Sequence, residues 1–514
     1  MESWRVLSAK QVQRLADSLN TVATPSWRAL PWVIAVGVGL RIIVSLSSEP
    51  ITHADEVFQF LEQAHRLVFG YGVIPWEYVY GTRSWLLPGS IAFVLWGFSA
   101  VGLDNPSFYV PAIRILACIL SGSAIYCVYW IGRRLVSERV GRIGSVLTCC
   151  WYEVVIVGHK VTPEVLSTYL LLGAVTCLVR RPTNVGVMLF GLCCGAALAL
   201  RIQYAPVLVC LALMMLLYCR QGNWTGRQSA IALATFSTVV LFVGWLDYYT
   251  WGYFFVGYYN YFLYNAVYGI SHKLFGADPF WQYAKLLGGS CRLLFAATIA
   301  YSPFRNGPKP WLLLALLACI LGPHSLMAHK EYRFIFAAIP LCLLLTAILI
   351  DDLWQWPRWR FKISLGKALT CVYGFATIVG LAKFGIFAKD EFPGGLHAYR
   401  YIHQQQNVAA VVNLYAPWHL TGRYYYLHRD VPVYFPNDLE ANKVAAADLS
   451  RYVSHIVCER DYEAMPGFTT RAWFGRAEVR AADRPPSMSL PADTHRRLQK
   501  GIDGVYEPAV TPRF

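Results

Sequence analysis

Two neighbouring carboxylates, Asp55 and Glu56, stand just beyond the first apolar segment of the chain, with His53 beside them. The run from Pro31 to Val44 is apolar apart from one arginine, and a polar stretch follows it. The two acids are therefore expected at the water interface of a membrane protein, where a carboxylate can take a proton from a hydroxyl group. Ionisable residues in such a protein are costly to place and usually mark a functional site.

Cationic and polar side chains also fall in other segments that are predicted on the same side of the membrane. The candidates are His65, Arg66, Glu77, Arg83, His159, Lys160, Thr162, Glu164, Arg201, Gln203, Tyr204, Asp247, Asn260, Asn265, His272, Lys273, Asp278, His329, Lys330, Glu331 and Arg333. A carboxylate base beside such cations could transfer a group from a lipid phosphate, because the cations would stabilise the departing phosphate. The sequence contains no glycine-rich phosphate loop, which argues against a nucleotide donor bound in that way.

Each of these groups also has a purely structural interpretation. Asp55 and Glu56 could occupy the N-terminus of a predicted amphipathic helix, where negative charge suits the helix dipole. The cluster 329–333 could anchor a helix end at the interface, although so many external cations run against the usual charge bias. Glu164 could form a capping salt bridge with the preceding turn, and the long aromatic loop 248–283 could be an interfacial belt.

The elements that must position these residues are membrane spans. Of the 514 residues, 56% are hydrophobic, 15% aromatic and only 15% charged, which is too apolar for an ordinary soluble surface. The predicted spans are 31–48, 108–131, 143–159, 163–179, 184–200, 204–219, 229–249, 283–303, 311–327, 333–350 and 367–387. The segment 86–101 is apolar but short and contains Pro88, so it either crosses the membrane or lies in the outer interface.

The net charge of +15 follows this topology and does not indicate nucleic-acid binding. Basic residues cluster in the short loops between apolar runs, as the positive-inside bias requires. Residues 1–30 are therefore predicted to be cytoplasmic, 31–387 to form the membrane domain with an external first loop 48–85, and 388–514 to form an external domain. The basic markers include Arg133, Arg134, Arg139, Arg142, Arg180, Arg181, Arg220, Arg227, Arg305 and Lys309.

After Lys389 the composition becomes that of a soluble domain. Strand-like runs at 408–415, 431–435 and 452–458 alternate with turns, which predicts a small α/β domain. From about Arg480 the chain is rich in proline and arginine and is expected to be poorly ordered in part. Thirteen of the fourteen cysteines lie in or at the ends of apolar segments, so a disulfide framework is not expected.

Three motifs resemble those of glycosyltransferase family 22. They are His53-x-Asp55-Glu56, Trp76-Glu77-Tyr78-x-Tyr80-Gly81-x-Arg83-Ser84, and His329-Lys330-Glu331-x-Arg333-Phe334. The likeness continues in consistent order through residues 30–350, and it is greatest to the branch of the family that acts in GPI-anchor assembly. The family holds lumenal mannosyltransferases of N-glycan and GPI-anchor assembly.

The resemblance implies a mainly α, polytopic membrane fold of GT-C type, with about 11–13 transmembrane helices and a small C-terminal α/β domain. It also implies inverting transfer of mannose from a β-linked polyprenyl-phosphate donor, dolichyl in eukaryotes, to a glycan or glycolipid acceptor, with no cofactor and no metal. Asp55 is then the expected general base, and Glu56 is expected to assist acceptor binding. The residues expected to bind the donor phosphate or sugar are Arg83, His329, Lys330, Glu331 and Arg333. Those expected to bind the acceptor or support the site are His53, Trp76, Glu77, Tyr80, Glu164 and Asp247.

Several alternatives remain compatible with the sequence. The chain could transfer another polyprenyl-linked sugar, such as glucose or an aminopentose, or it could be a non-catalytic subunit. A transporter or flippase for a lipid-linked sugar would require inverted repeats, and the sequence has no such internal symmetry. The arginine-rich composition, the C-terminus without a retention signal and the sequon at Asn223 in a predicted cytoplasmic loop favour a bacterial inner membrane over the endoplasmic reticulum.

Overall fold

The computed structural model describes residues 27–47, 53–288, 293–305, 310–355, 365–383, 392–489 and 497–498. Most of the predicted N-terminal segment 1–30 lies outside these residues. Among the described helices, five are long and apolar enough to cross a membrane: Leu30–Ser47, Pro106–Leu135, Ile202–Arg220, Gly226–Trp251 and Ala338–Gln355. Five shorter apolar helices are Leu86–Ala100, Pro163–Val179, Asn184–Leu200, Trp311–Leu326 and Gly366–Leu381. The remaining helices in the membrane domain include Glu138–Cys150, Tyr152–Ile156, Val256–Phe262, Ile270–Phe275, Gln282–Gly288 and Leu293–Tyr301. The predicted mainly helical membrane fold is confirmed.

One predicted span, 143–159, is interrupted in the structure. The helix Glu138–Cys150 stops at Trp151, and the short helix Tyr152–Ile156 continues from there. The end of a helix leaves backbone carbonyls without partners inside the helix. Arg41, which is fully buried, donates Nη2 to the Thr148 carbonyl at 3.0 Å and Nη1 to the Cys149 carbonyl at 3.1 Å. The one arginine of the first apolar segment therefore stabilises a break in a neighbouring helix.

The helix Leu86–Ala100 packs beside the helices of the first loop. At its start, Trp85 packs against the guanidinium of Arg66, which lies 5.4 Å from the ring centre. Shortly after its end, Tyr109 donates a hydrogen bond to the Tyr425 carbonyl in the C-terminal region at 2.5 Å. Tyr425 in turn binds the same first-loop helix that carries Arg66. The residues that flank this helix in the sequence therefore contact the first loop and the C-terminal region.

The first loop is helical over much of its length. A wide π-helical turn, Glu56–Leu61, runs directly into the α-helix Glu62–Phe69, which ends at Gly70 in the left-handed conformation. The predicted amphipathic helix is thus present. After a two-residue strand β1, Ile74–Pro75, the short helix Trp76–Val79 begins. This path keeps the acidic motif and the second motif within one compact loop.

The C-terminal region contains a five-stranded sheet. Its strands are β2 (Val411–Asn413), β3 (Val433–Tyr434), β4 (His455–Glu459), β5 (Phe468–Phe474) and β6 (Ala477–Ala482), in the order β3-β2-β4-β6-β5. The strands β3, β2 and β4 are parallel, and β6 and β5 add an antiparallel hairpin. The predicted α/β domain is confirmed: β2 and β3 lie within the first two strand-like runs, and β4 ends one residue beyond the third. The antiparallel hairpin β5–β6 was not predicted.

The tail that follows the sheet is only partly described. Arg480 belongs to β6, so the start of the proline- and arginine-rich segment is part of the sheet. Most of the rest of that segment lies outside the described residues, apart from β7 (Arg497–Leu498), which pairs in parallel with β1 of the first loop. All thirteen cysteines in the described part of the chain are free.

The C-terminal domain packs on the first loop through buried polar contacts. Glu62 is fully buried and accepts hydrogen bonds from the backbone N–H of Val73 at 2.9 Å and of Tyr425 at 2.8 Å. His65 Nε2 lies 2.9 Å from His428 Nδ1. The helix that follows the acidic pair is therefore held on two sides, by its own loop and by the C-terminal domain.

Candidate active site

A cavity of about 240 Å³ lies where the first loop, the start of the helix Pro163–Val179 and the segment 329–334 meet. The sequence-predicted residues in its lining are His53, Asp55, Trp76, Glu77, Arg83, Glu164, Arg201, Gln203, Asn265, His329, Glu331 and Arg333. Further lining residues include Gln59, Thr82, Tyr261, Ser271, Phe275 and Phe334. Motifs separated by more than two hundred positions in the sequence thus meet at one concave site, which is the usual form of a small-molecule site.

Arg333 joins the first motif to the third. Its Nη2 lies 2.6 Å from Asp55 Oδ2, and its Nε lies 2.6 Å from Glu331 Oε2. Burial would raise the pKa of Glu331, but the hydrogen bonds from Arg333 and His329 outweigh it and hold that pKa below its usual range. Burial lowers the pKa of His53, and the positive charge of Arg333 lowers it further. The guanidinium of Arg333 therefore joins the side chains of Asp55 and Glu331, and the neutral form of the His53 imidazole is favoured beside them.

The two acids of the first motif point to different places. Consecutive residues on a helix do not share a face, so Asp55 lines the cavity while Glu56 is turned into the protein. Glu56 Oε2 pairs with Lys160 Nζ at 3.0 Å, and its Oε1 accepts the backbone N–H of Val161 at 3.2 Å. Among the described residues, Asp55 caps no backbone N–H of the helix that follows. The simple N-cap interpretation of Asp55 therefore does not apply.

Arg83 enters the cavity from a tight turn. Gly81 has a φ of 60°, which only glycine adopts readily, and the Thr82 N–H returns to the Glu77 carbonyl at 2.8 Å. The guanidinium of Arg83 faces the ring of Tyr261 at 5.3 Å from its centre. Within the described residues its Nε has no hydrogen-bond partner. Arg83 is thus a cation in the cavity wall that carries an unused donor.

Glu77 is a buried acid in the same wall. Its Oε1 accepts a hydrogen bond from Gln59 Nε2 at 2.6 Å, and its side chain is 6% exposed. Burial, reinforced by the negative charge of Asp55, raises the pKa of Glu77 to about 7. A carboxyl group with such a pKa can carry a proton near neutral pH.

Glu164 and Arg201 form a buried ion pair on the opposite wall. Glu164 begins the helix Pro163–Val179, where a negative charge is favourable for the helix dipole. Arg201 lies at the end of the helix Asn184–Leu200, and its guanidinium packs against the ring of Phe334 at 5.2 Å from the centre. Glu164 Oε2 and Arg201 Nε have no hydrogen-bond partner among the described residues, so both retain capacity for a ligand.

Three predicted site residues support the cavity from outside its lining. Lys330 Nζ donates to the Asp278 carbonyl at 3.0 Å, which fastens the segment 329–334 to the preceding loop. The Tyr80 carbonyl accepts the amide of Asn260 at 2.8 Å. Asp247 Oδ2 accepts the backbone N–H of Gly257 at 3.0 Å, at the turn between two helices. Their positions suit a structural role in shaping the loops around the cavity.

Some residues of the site gave no signal in the sequence. Gln59, Tyr261 and Phe275 line the cavity, but a glutamine in an amphipathic helix and aromatic residues in a membrane loop are common. Glu62 was likewise missed, although its helical spacing from the acidic pair places it on the buried side. Within the described ranges, no three His, Cys, Asp or Glu side chains converge closely enough to hold a metal ion.

The fold is that of GT-C membrane glycosyltransferases. The crystal structure of ArnT from Cupriavidus metallidurans bound to undecaprenyl phosphate is similar with a TM-score of 0.54, over 90% of this chain and 98% of that one, at 10% sequence identity. The apo structure of the same enzyme gives a TM-score of 0.53. At this level of identity the likeness concerns the fold alone.

The family model of the Alg9-like mannosyltransferase family matches residues 32–428, and the chain belongs to that family. It is 25% identical to GPI mannosyltransferase 3 of Yarrowia lipolytica, over 78% of this chain and 76% of the relative. It is 24% identical to the mannosyltransferase APTG1 of Arabidopsis thaliana, over 77% and 75% of the two chains. The resemblance to glycosyltransferase family 22 and to its GPI branch is confirmed, and the chain is an enzyme of the mannosyltransferase class.

Proposed function

We propose that the enzyme transfers mannose from a polyprenyl-phosphate donor to a hydroxyl group of a glycan or glycolipid, with inversion at the anomeric carbon. The observation that carries this proposal is the meeting of Asp55, Arg83 and Arg333 at one cavity. A carboxylate and cations in a single concave site are the groups that such a transfer requires. The likeness of the fold to ArnT bound to undecaprenyl phosphate supports a lipid phosphate as the leaving group.

In the proposed reaction, Asp55 takes the proton of the acceptor hydroxyl. The acceptor oxygen then forms a bond to the anomeric carbon of mannose as the bond from that carbon to the phosphate oxygen breaks. The polyprenyl phosphate leaves with the electron pair of the broken bond, and Asp55 later releases the proton to water. A carboxylate held at hydrogen-bond distance from the hydroxyl is the geometry that general-base catalysis needs.

Arg83 is the proposed partner of the donor phosphate. Arg333 is occupied by Asp55 and Glu331, and Arg201 is paired with Glu164. By contrast, Arg83 forms no ion pair with a carboxylate among the described residues; its guanidinium contacts the ring of Tyr261, and its buried Nε has no hydrogen-bond partner there. A guanidinium can donate two parallel hydrogen bonds to a phosphate, which makes this position well suited to the departing group.

Arg333 is the proposed positioning residue for the base. Its two carboxylate partners lie on different segments, so it fixes the side chain of Asp55 relative to the segment 329–334. Glu56 is proposed to position Asp55 indirectly, because its ion pair with Lys160 connects the start of the first-loop helix to the turn before Pro163. Glu56 would then influence transfer through the orientation of Asp55.

Phe275 supports an apolar approach for the donor lipid. It lies in the cavity lining, and its side chain is 65% exposed. Other exposed aromatic residues nearby in the sequence are Tyr259, Phe262, Phe280 and Trp281. We place the cavity on the external or lumenal membrane face, in keeping with the charge bias of the loops. The compartment is proposed to be the bacterial inner membrane, or the endoplasmic reticulum if the source is eukaryotic.

The test is transfer of labelled mannose from polyprenyl-phosphate mannose in membranes that contain the protein. Asp55→Asn is compared with Asp461→Asn, which removes an exposed acid of the C-terminal domain. Transfer that only Asp55→Asn abolishes supports the proposed base. Equal activity of Asp55→Asn and the wild type would refute that role.

A donor panel tests the remaining alternatives. Polyprenyl-phosphate glucose and a polyprenyl-phosphate aminopentose are supplied beside the mannose donor, at equal concentration. Preference for either of them would replace mannose as the donor sugar. Movement of a lipid-linked sugar across the membrane without transfer from any of these donors would indicate that the protein is a transporter or flippase.

A further inference from the structure

A second polar cluster lies far from the cavity, around the indole of Trp130. The guanidinium groups of Arg180, Arg133 and Arg134 lie 4.3, 4.9 and 5.9 Å from its ring centres. Trp130 and the two neighbouring arginines belong to the last turns of the helix Pro106–Leu135, and Arg180 follows the helix Pro163–Val179. The cluster was singled out in the sequence only as a marker of membrane topology.

The cluster lies at the membrane face opposite the cavity. Glu164 lines the cavity at the start of the helix Pro163–Val179, and Arg180 follows the end of the same helix. Seventeen residues of α-helix span about 25 Å at 1.5 Å per residue. The arginines around Trp130 therefore have no part in the cavity, and the charge bias assigns them to the cytoplasmic side.

The cluster has more donors than acceptors. Arg133 pairs with Glu138 Oε2 at 2.7 Å, and Arg180 Nη1 donates to the Tyr126 hydroxyl at 2.9 Å. Within the described residues, Arg134 Nε and Trp130 Nε1 are buried atoms without a hydrogen-bond partner. The helix dipole favours cations at helix C-termini, which explains why arginines lie at these helix ends. It does not explain two buried donors that lack an acceptor, since such groups are normally satisfied.

An exposed apolar stripe leads to the cluster along the same helix. Leu116, Ile119 and Leu120 are 44%, 54% and 56% exposed, and they are followed by Tyr126 at 36%. Residues three or four positions apart share a helix face, so this stripe ends at Trp130 and Arg134. An acyl chain lying along the stripe would place its headgroup among the guanidinium groups, whereas a free anion would not use the stripe.

We propose that this cluster binds the phosphate of an anionic membrane phospholipid. The phosphate oxygens accept from the guanidinium groups of Arg134 and Arg180 beside Trp130, and the acyl chains lie against the stripe that begins at Leu116. Charge-assisted hydrogen bonds from guanidinium groups to phosphate are strong and geometrically selective. This site is independent of the proposed sugar transfer, because it contains no residue of the cavity.

The test uses the purified full-length protein and native mass spectrometry. Phosphatidylglycerol, phosphatidylcholine with the same acyl chains, and inorganic phosphate are titrated separately. The variant Arg134→Gln/Arg180→Gln is compared with Arg220→Gln/Arg227→Gln, which removes two exposed arginines of another predicted cytoplasmic loop. We expect the wild type to retain phosphatidylglycerol in preference to phosphatidylcholine, and the first variant to bind it about tenfold more weakly. The second variant should bind it as the wild type does.

Three outcomes would overturn the proposal. They are equal retention of the two lipids by the wild type, an equal loss in both double variants, and binding of inorganic phosphate as tight as that of phosphatidylglycerol. The last outcome would identify a simple anion site. Mannose transfer by the same preparations checks that the variants are folded. A failed transfer assay in the wild type would leave the lipid result valid, because the lipid is measured directly.

Discussion

The pair Asp55–Arg333 allows the proposed base and its positioning residue to be separated by a double-mutant cycle. The perturbations are Asp55→Asn, Arg333→Lys and the combination of both. Arg333 binds Asp55 at 2.6 Å and Glu331 at 2.6 Å through different nitrogens, whereas a lysine presents a single point charge that cannot reproduce this fork. The cycle therefore tests whether Arg333 acts on transfer through Asp55.

The magnitudes follow from the contacts. Loss of a general base lowers the transfer rate by roughly 10²–10⁴-fold. A hydrogen bond between charged groups contributes about 1.5–3 kcal/mol, and the lower end applies here because the side chains of Arg333 and Asp55 are 17% and 33% exposed. About 1.5 kcal/mol corresponds to roughly a tenfold decrease in rate for Arg333→Lys alone. In the Asp55→Asn background the same substitution should change the rate less than about threefold, because the base is already absent.

The assay measures initial rates of labelled mannose transfer with saturating donor, at equal protein and with matched melting temperatures. A double variant that is a further tenfold slower than Asp55→Asn would refute the reasoning. It would mean that Arg333 contributes independently of the base, for example by binding the donor phosphate. In that case the phosphate role assigned to Arg83 would have to be shared or moved.

Three further predictions concern stability. Folding raises the pKa of Glu77 from 4.5 to about 7, so its burial destabilises the folded state increasingly as the pH rises through this range. Glu77→Gln should therefore raise the melting temperature more at pH 8 than at pH 5. An equal change at the two pH values would contradict this. Burial lowers the pKa of His65 from 6.5 to about 3, so its contribution is complete above pH 6.5 and is lost as the pH falls towards 3. His65→Gln should therefore flatten the decrease in melting temperature between pH 7.5 and 5.5, and an unchanged slope would exclude His65 as its source. Arg41→Met should destabilise the protein by about 1–3 kcal/mol for each carbonyl left unpaired, measured by thermal unfolding in detergent beside Arg28→Gln, and a melting temperature equal to that of the control would show that the helix break does not need Arg41.

Much of the fold could be predicted from the sequence because hydrophobic runs report directly on burial in lipid. The helices Leu30–Ser47, Pro163–Val179 and Asn184–Leu200 lie within one residue of the predicted spans. The interruption after Cys150 could not be predicted, since the side chain that binds the free carbonyls there, Arg41, is more than one hundred positions away in the sequence.

For the site, the sequence identifies which chemical groups are available. The order and spacing of the three motifs identified Asp55, Arg83, Glu77 and Arg333 as candidates, because ionisable residues are rare in such an apolar chain. The family follows from the same motifs. These properties are local, and a residue's type and its neighbours are sufficient to recognise them.

How those groups are paired becomes visible in the folded chain. It separates Asp55 from Glu56, gives Arg333 two carboxylate partners, and leaves Arg83 with an unused donor in the cavity wall. It also brings Arg133, Arg134 and Arg180, which the sequence shows only as markers of membrane topology, together around Trp130. Ion pairs depend on distances between segments that are remote in the chain, and the charge of a residue alone does not reveal which partner the fold brings to it.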